Sequence, residues 1–320
     1  MMGTGVFAEP ALETLLKSGI QVVGIFTQPD RESGEERGST RQVGKGIKNI
    51  GLETGLGVFQ PLNINVPQGV EALRGLNADL FVVAAYGQIL SPDVLACARL
   101  GGINIHASLL PKYRGAAPVQ RAIAAGEKET GVSILRMTPT LDGGEILASR
   151  ATAIGAEETA GELEARLSVM GADLALEVVK KLQLGPLTGV VQDPAQATKA
   201  PKLKKEHGLI CWDHPAGKIE CHLRAMQPWP TAFTLFKRPG SPPLRLQIVK
   251  ARVAPTSPGE TGAPGALRQA SPGQQGMMVF TGDANLLEVL ELLPAGKKKM
   301  SGADFLRGKG WNSGDTLGPP

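Results

Sequence analysis

Between Phe7 and Ala125, short apolar runs alternate with segments of helical spacing, and this alternation restricts the fold more than any other feature. Phe7 to Lys17 carries apolar residues at helical spacing and is followed by Gly19, a stop signal. Gln21 to Phe26, Leu80 to Ala85 and Gly102 to His106 read as strands, and Ala116 to Ala125 reads as a further helix. Strands alternating with helices predict a parallel, doubly wound α/β domain over residues 6 to 185. Ligands of such sheets bind beyond the carboxyl ends of the strands. His106 and the loop Tyr86-Gly87-Gln88-Ile89-Leu90 would both lie there.

At 320 residues the chain is long enough for two domains. Gly185 to Glu206 is broken by Pro186, Pro194 and Pro201 and made basic by Lys199, Lys202, Lys204 and Lys205. It reads as a linker at 185–206, between domains at 1–184 and 207–320. In the second domain Ala232 to Phe236, Leu244 to Val253, Gly276 to Thr281 and Asn285 to Leu292 are short strand candidates separated by Pro/Gly turns. Their lengths and spacing predict a small β-barrel. Pro255 to Gln275 reads as a flexible loop longer than a compact barrel needs.

A hydrophobic share of 42% with 20% charged residues excludes a disordered chain. No apolar run approaches the roughly 20 residues of a membrane span, and the start has no signal-peptide pattern. Cys97, Cys211 and Cys221 show no Cys-x-x-Cys spacing, which fits a reducing compartment and suggests neither a disulfide framework nor a zinc site. A soluble cytoplasmic protein is expected. The net charge of +4 is unevenly divided: residues 201 to 320 hold 16 Lys and Arg against 9 Asp and Glu, a net of +7, which leaves −3 for the rest. A basic second half points to a polyanionic partner, although a solvated surface accounts for the charge equally well.

The chemistry concentrates in Asn104-Ile105-His106 and, downstream, Leu141-Asp142-Gly143-Gly144. Residues two apart on a strand share a face, so Asn104 and His106 point one way while Ile103 and Ile105 point the other. A Gly-rich turn can bring Asp142 back to His106. Singly, each of the three is the kind of residue that serves as an ordinary hydrogen-bonding or turn group; together they suggest an enzyme. Gly3-Thr4-Gly5-Val6-Phe7-Ala8 has Gly-x-Gly-x-x-Ala spacing, but with no strand before it the pattern does not support a nicotinamide site.

Asn104-x-His106, Ser108-Leu109-Leu110-Pro111, Arg114-Gly115-Ala116-Ala117-Pro118 and Leu141 to Gly144 together resemble the folate-dependent formyltransferases, and the resemblance runs from Gly3 to Ser301. It implies a Rossmann-like formyltransferase domain followed by an OB-like barrel with an accompanying helix at Lys218 to Met226. It also implies a reaction that moves a formyl group from 10-formyltetrahydrofolate to the α-amino group of initiator methionyl-tRNA in translation initiation. In such a reaction Asn104 and His106 would donate to the developing oxyanion, worth roughly 3–4 kcal/mol for one good donor. His106 would also move a proton, and Asp142 would orient it. Tyr86 to Leu90, Ser108 to Pro111 and Leu141 with Gly143 would border the folate, largely through backbone groups.

The tRNA would meet Arg31, Arg37, Arg41, Lys45 and Lys48 in a loop that also holds Glu32, Glu35 and Glu36. It would further meet Lys202 and Lys204 in the linker, and Lys297, Lys298 and Lys299 after Pro294-Ala295-Gly296. No metal, DNA or membrane is implied, and a monomer is expected. His207, His214 and His222 read as surface or structural, and Trp229 as barrel core. In the family the Gly3–Gly5 turn follows a first strand that this chain is expected to lack, which a start placed too far downstream would explain. Two alternatives stay open: a formyltransferase acting on a nucleotide sugar or small amine, and a tRNA-binding protein whose catalytic half is inactive.

Overall fold

A computed structural model describes residues 1–30, 44–257, 259–269, 275–283, 285–310 and 312–319. Arg31, Arg37 and Arg41, and part of the 255–275 segment, lie outside the described residues. The chain divides into one unit of Met1–Ala122 with Lys128–Lys202, and a second of Ile123–Glu127 with Leu203–Pro320.

The first unit contains β1 (Met2–Gly3), α1 (Glu9–Lys17), β2 (Ile25–Phe26), α2 (Ile47–Glu53), β3 (Val58–Phe59), α3 (Pro67–Gly75), β4 (Phe81–Ala84), α4 (Pro92–Leu95) and β5 (Gly102–His106). After these come α5 (Pro118–Ala124), which runs into the second unit, then β6 (Glu129–Arg136), β7 (Ile146–Ala153) and α6 (Ala160–Leu184). Seven strands pair in the order β3-β2-β1-β4-β5-β6-β7. The pairings from β3 through β5 are parallel, and β6 and β7 join antiparallel.

The expected absence of a first strand is corrected. Met2–Gly3 occupies the middle of the sheet, with Met2 paired to Phe26 on one side and Val83 on the other. Two residues are too few to show a period, so the strand has no sequence signature. The Gln21 to Phe26 run likewise contracts to Ile25–Phe26, whereas Gly102–His106 has the expected bounds.

Helix α6 covers the sheet behind β5 and β6. Its start is set by a capping box: Thr159 Oγ1 accepts from Glu162 N at 3.4 Å, and Glu162 Oε2 accepts from Thr159 N at 2.8 Å. Leu163, Leu167, Leu174 and Val178 are buried on one face, each contributing about 2 kcal/mol by burial. Gly171 lets the helix close in, since a Cβ there would lie 2.6 Å from Ile105 Cγ2.

The segment that reads as a linker at 185–206 does not run free. As far as Lys202 it belongs to the first unit: Val190 pairs with Ile146, Lys199 with Arg114, and Ala117 N donates to Ala200 O at 3.1 Å. Its prolines bar an α-helix or a central strand, and Pro194–Gln196 forms only one 3₁₀ turn, but isolated pairings stay available.

The second unit holds α7 (Ala216–Ala225), β8 (Phe233–Lys237), β9 (Leu244–Ala254), β10 (Met277–Phe280), β11 (Leu286–Pro294), β12 (Met300–Ser301), α8 (Gly302–Lys309) and β13 (Thr316–Gly318). The order is β10-β11-β9-β8-β13, antiparallel, with β12 on β11. The reading of 255–275 as a loop is corrected for its middle. Gly265 to Arg268 pairs with β10 through Phe280 N to Ala266 O (3.0 Å) and Arg268 N to Met278 O (3.0 Å). On the other side Leu317 N donates to Gly265 O at 2.7 Å, which nearly closes the barrel. Flanking Pro and Gly residues hide so short a strand in the sequence. Trp229 is also corrected: it is only half-buried, and among the described residues the buried core indole is Trp212, whose Nε1 donates to Thr234 Oγ1 at 3.0 Å.

Gly265 has φ +83°, and a Cβ there would lie 2.1 Å from Leu317 O; Gly240 has φ +76° with open space around it. Gly240→Ala is expected to cost only the left-handed backbone penalty, about 1 kcal/mol. Gly265→Ala should cost at least about 2 kcal/mol more, because backbone must move. Thermal unfolding of the two variants checks this, and equal losses would refute a closure through Gly265.

Candidate active site

Strand β5 buries Ile103 and Ile105 and turns Asn104 and His106 to the opposite face. Asn104 is half-buried there, and His106 is 5% exposed. The chain leaves β6 at Arg136, which pairs with Ile103 at the far end of β5 from His106. It then folds back so that Asp142 meets both residues. Asp142 Oδ1 accepts from Asn104 Nδ2 at 3.3 Å, and Oδ2 accepts from Gly115 N at 2.8 Å. Oδ2 also lies 3.7 Å from His106 Nδ1, an ion-pair distance too long for a hydrogen bond. The three residues chosen from the sequence are therefore brought together.

His106 Nε2 is 2.9 Å from Tyr113 O. A carbonyl only accepts, so Nε2 carries the proton and the ring's other nitrogen faces a carboxylate. The turn is tight: Asp142 has φ +49°, and a Cβ on Gly144 would lie 1.8 Å from Arg136 O. A non-glycine residue in that region persists only where its surroundings hold it.

Sequence reasoning missed two of the groups that hold this arrangement. Gln192 is buried behind the turn, donating through Nε2 to Asp142 O and Gly144 O and accepting through Oε1 from Arg114. Ser133 is buried on β6 beneath the Ser108–Pro111 loop. Its hydroxyl donates to Ser108 O at 2.8 Å and accepts from Leu110 N at 3.1 Å, with Ser149 Oγ 3.2 Å away. Neither residue has a motif or period; only pairing across the fold reveals them.

Around the triad, Ser108 Oγ donates to Lys112 O at 2.7 Å, and the Leu110–Pro111 bond is cis. Leu109 packs against Gly131, where a Cβ would lie 2.6 Å from Leu109 Cδ2. On the adjacent loop Tyr86 and Leu90 point into the core, and burial pushes the Tyr86 hydroxyl's pKa up. Tyr86 O accepts from Gln28 Nε2 at 3.0 Å. Gly87 has φ +78°, and Gln88 is tied to Ile64 N and Pro61 O. By contrast, Ile89 and Leu141 are 66% and 59% exposed. These loops thus offer backbone groups and two outward apolar side chains.

The expected cationic residues are mostly paired where they are described. Lys45 Nζ is 2.7 Å from Glu53, Lys204 Nζ 3.6 Å from Glu206, and Lys299 Nζ 2.8 Å from Glu291. Lys48 pairs with Asp30, and together with Gln60 it holds that carboxyl below its usual pKa. Lys202, Lys297 and Lys298 are exposed. No helix among the described residues is long and apolar enough to cross a membrane.

An Asn–His–Asp cluster on a doubly wound sheet, followed by a small barrel, defines a two-domain group-transfer enzyme. The formyl transferase family model matches residues 1–179, and the formyl transferase C-terminal domain model matches residues 202–310. The chain belongs to the formyltransferase family. It is similar to the methionyl-tRNA formyltransferase of Rhodopirellula baltica, with 43% identity over all of this chain and 96% of that one. It is also similar to the methionyl-tRNA formyltransferase of Bacillus subtilis, with 37% identity over 99% of this chain and 96% of that one. Among solved structures, an N-formyltransferase from Helicobacter canadensis in complex with folinic acid and dTDP-3-aminofucose shares the fold. Its TM-score is 0.64 at 15% identity, over 90% of this chain and 97% of that one.

Removing the Ser133 hydroxyl would leave Leu110 N and Ser108 O without their partner. Ser133→Ala is expected to destabilise the first unit by about 2 kcal/mol, at about 1–3 kcal/mol for an unsatisfied buried group. Chemical denaturation checks this, and a loss below about 0.5 kcal/mol would show that the loop does not depend on Ser133.

Proposed function

We propose that this protein transfers the formyl group of 10-formyltetrahydrofolate to the α-amino group of initiator methionyl-tRNA. The observation that carries the reading is one carboxylate touching Asn104, His106 and Gly115 on a chain that aligns end to end with methionyl-tRNA formyltransferases. The formyl carbon, bound to nitrogen in the donor, supplies the electrophile.

The residues present suit such a donor. A flat, amide-rich heterocycle pairs with backbone groups between apolar walls. The 86–90 loop, with Tyr86 and Leu90 turned into the core, and the exposed Ile89 and Leu141 offer that combination. Ser108 to Pro111 and Gly143 border the same site in this reading.

Asn104 donates through Nδ2 to the oxygen on which charge develops. Its contact with Asp142 Oδ1 orients the amide without using both of its donor hydrogens. His106 supplies Nε2–H, which now rests on Tyr113 O; a substrate oxygen has to share or take over that hydrogen bond. As the amine bonds to the formyl carbon and the bond from that carbon to the donor nitrogen breaks, the proton lost by the amine would pass to the leaving nitrogen with His106 as carrier. Asp142, facing Nδ1, would stabilise the ring while it holds that proton. Cys97, Cys211 and Cys221 form no disulfide, which suits a reducing compartment, and the reading includes cytoplasmic action as a monomer.

The tRNA contacts in this reading are Lys202, Lys204 and Lys297 to Lys299, with Lys45, Lys48 and the arginines at 31, 37 and 41. Exposed lysines in each unit suit a polyanion, and a nucleotide sugar does not require them. That favours the tRNA over a small amine. The inactive-binder alternative drew on a missing first strand, and Met2–Gly3 removes that support.

Formyl transfer to initiator, but not elongator, methionyl-tRNA with the folate donor is the expected activity; none with either tRNA would defeat the reading. His106→Ala should lower the rate by at least about 10²-fold and leave tRNA affinity unchanged. Substantial residual turnover would take His106 out of the mechanism. Replacing Lys297, Lys298 and Lys299 by Ala should weaken tRNA binding and reduce the slope of log affinity against log salt by about 2. This allows about 1 per phosphate-bound lysine, with Lys299 already held by Glu291. An unchanged slope would mean these lysines meet no phosphates.

A further inference from the structure

The amide of Gln192, at 6% exposure, grips the Asp142 turn on both sides of Gly143. Nε2 donates to Asp142 O at 2.8 Å and to Gly144 O at 2.7 Å, while Oε1 accepts from Arg114 Nε at 3.0 Å and Nη2 at 2.7 Å. This amide fits only one way round, because a guanidinium offers donors alone and the two carbonyls acceptors alone. Arg114 precedes Gly115, whose N–H holds the Asp142 carboxylate. The turn is therefore tied to residues 114 and 115 twice, once by its own carboxylate on the Gly115 N–H and once through Gln192 on the Arg114 side chain.

We propose that Gln192 is a positioning residue for formyl transfer, which sets the Asp142 carboxylate against His106 and Asn104 by clamping the turn to Arg114. The proposal rests on the formyltransferase reading above. The contact between Asp142 and His106 is 3.7 Å, so no direct hydrogen bond fixes the two groups relative to one another. Their spacing is set by the bonds that hold the carboxylate, from Asn104 Nδ2 and Gly115 N, and by the backbone of the turn that carries it. That backbone carries Asp142 at φ +49° and has no room at Gly144 to shift toward Arg136. Remove the two bonds from Gln192, and the left-handed residue is free to relax away from the ring.

The test is Gln192→Glu, which keeps the shape and the Arg114 contact but sets an oxygen against two carbonyl oxygens. Its kcat for formyl transfer should fall about 10²-fold, the effect of an ångström-scale misplacement. The KM for methionyl-tRNA should stay within about twofold, since no contact to the tRNA is removed. The free enzyme supplies a second readout in the ring resonances of its four histidines. His106, assigned by its loss in His106→Gln, should shift in Gln192→Glu as it does in Asp142→Asn, with the other three unmoved. Gln192→Met, similar in length and without the amide, should act in the same direction and serves if the Glu variant does not fold. A kcat within threefold of the parent overturns the proposal, and so does a fallen kcat with an unmoved His106 resonance. If the unaltered chain transfers no formyl group, the formyltransferase reading fails, while the histidine spectra still decide whether Gln192 governs Asp142.

Discussion

The site depends on a loop that returns across the face of its own sheet. Asn104 and His106 share a face because a strand has a period of two, but a strand cannot supply the carboxylate that meets both. That group comes from residues after β6, whose last residue lies opposite Ile103, away from His106. The return requires a sharp turn, and Gly144 permits it by passing where any side chain would strike Arg136 O. Asp142 itself then takes a left-handed conformation. The strain is held by hydrogen bonds from Gly115 and Gln192, so the geometry of the Asn104–His106–Asp142 cluster and the geometry of the turn are a single problem in this protein.

The opposite face of β5 shows why that turn has something rigid to close on. Ile103 and Ile105 are buried, and Gly171 of α6 admits Ile105 Cγ2 at a distance no side chain would allow. With α6 on one side and parallel β4 and antiparallel β6 alongside, β5 has no freedom to shift register without exposing those isoleucines. The strand therefore presents Asn104 and His106 at a fixed spacing, and the turn has to supply only one further group.

What the sequence disclosed follows from the range of each signal. Gly102–His106 was legible to the residue because four alternating side chains report both a period and a face. Asn104, His106 and Asp142 were legible as a set because their motifs are long and ordered. Met2–Gly3 was not, since two residues have no period and their pairing partners lie 24 and 81 positions away. Gly265 to Arg268 was hidden by flanking turn formers, although backbone pairing on both sides makes it part of the barrel. Gln192 and Ser133 were invisible for a different reason. Each is an ordinary polar residue, and its importance arises only when the fold aims particular carbonyls and N–H groups at it.

The cationic residues illustrate how far composition can be trusted. Formal charge gives residues 201–320 a net of +7, yet Lys204 and Lys299 already have carboxylate partners, as do Lys45 and Lys48 in the first unit. The three exposed pairs, those of Lys45, Lys204 and Lys299, are worth about 0–1 kcal/mol each. A phosphate can therefore displace a glutamate at little cost, and pairing does not remove these lysines from a polyanion's reach. It does reduce what each contributes, because part of the attraction is spent in breaking the existing pair. Lysine contacts of this kind position a nucleic acid without reading its sequence. Any preference for one nucleic acid over another must then come from groups with directional hydrogen bonds or fitted surfaces, not from lysines of this kind.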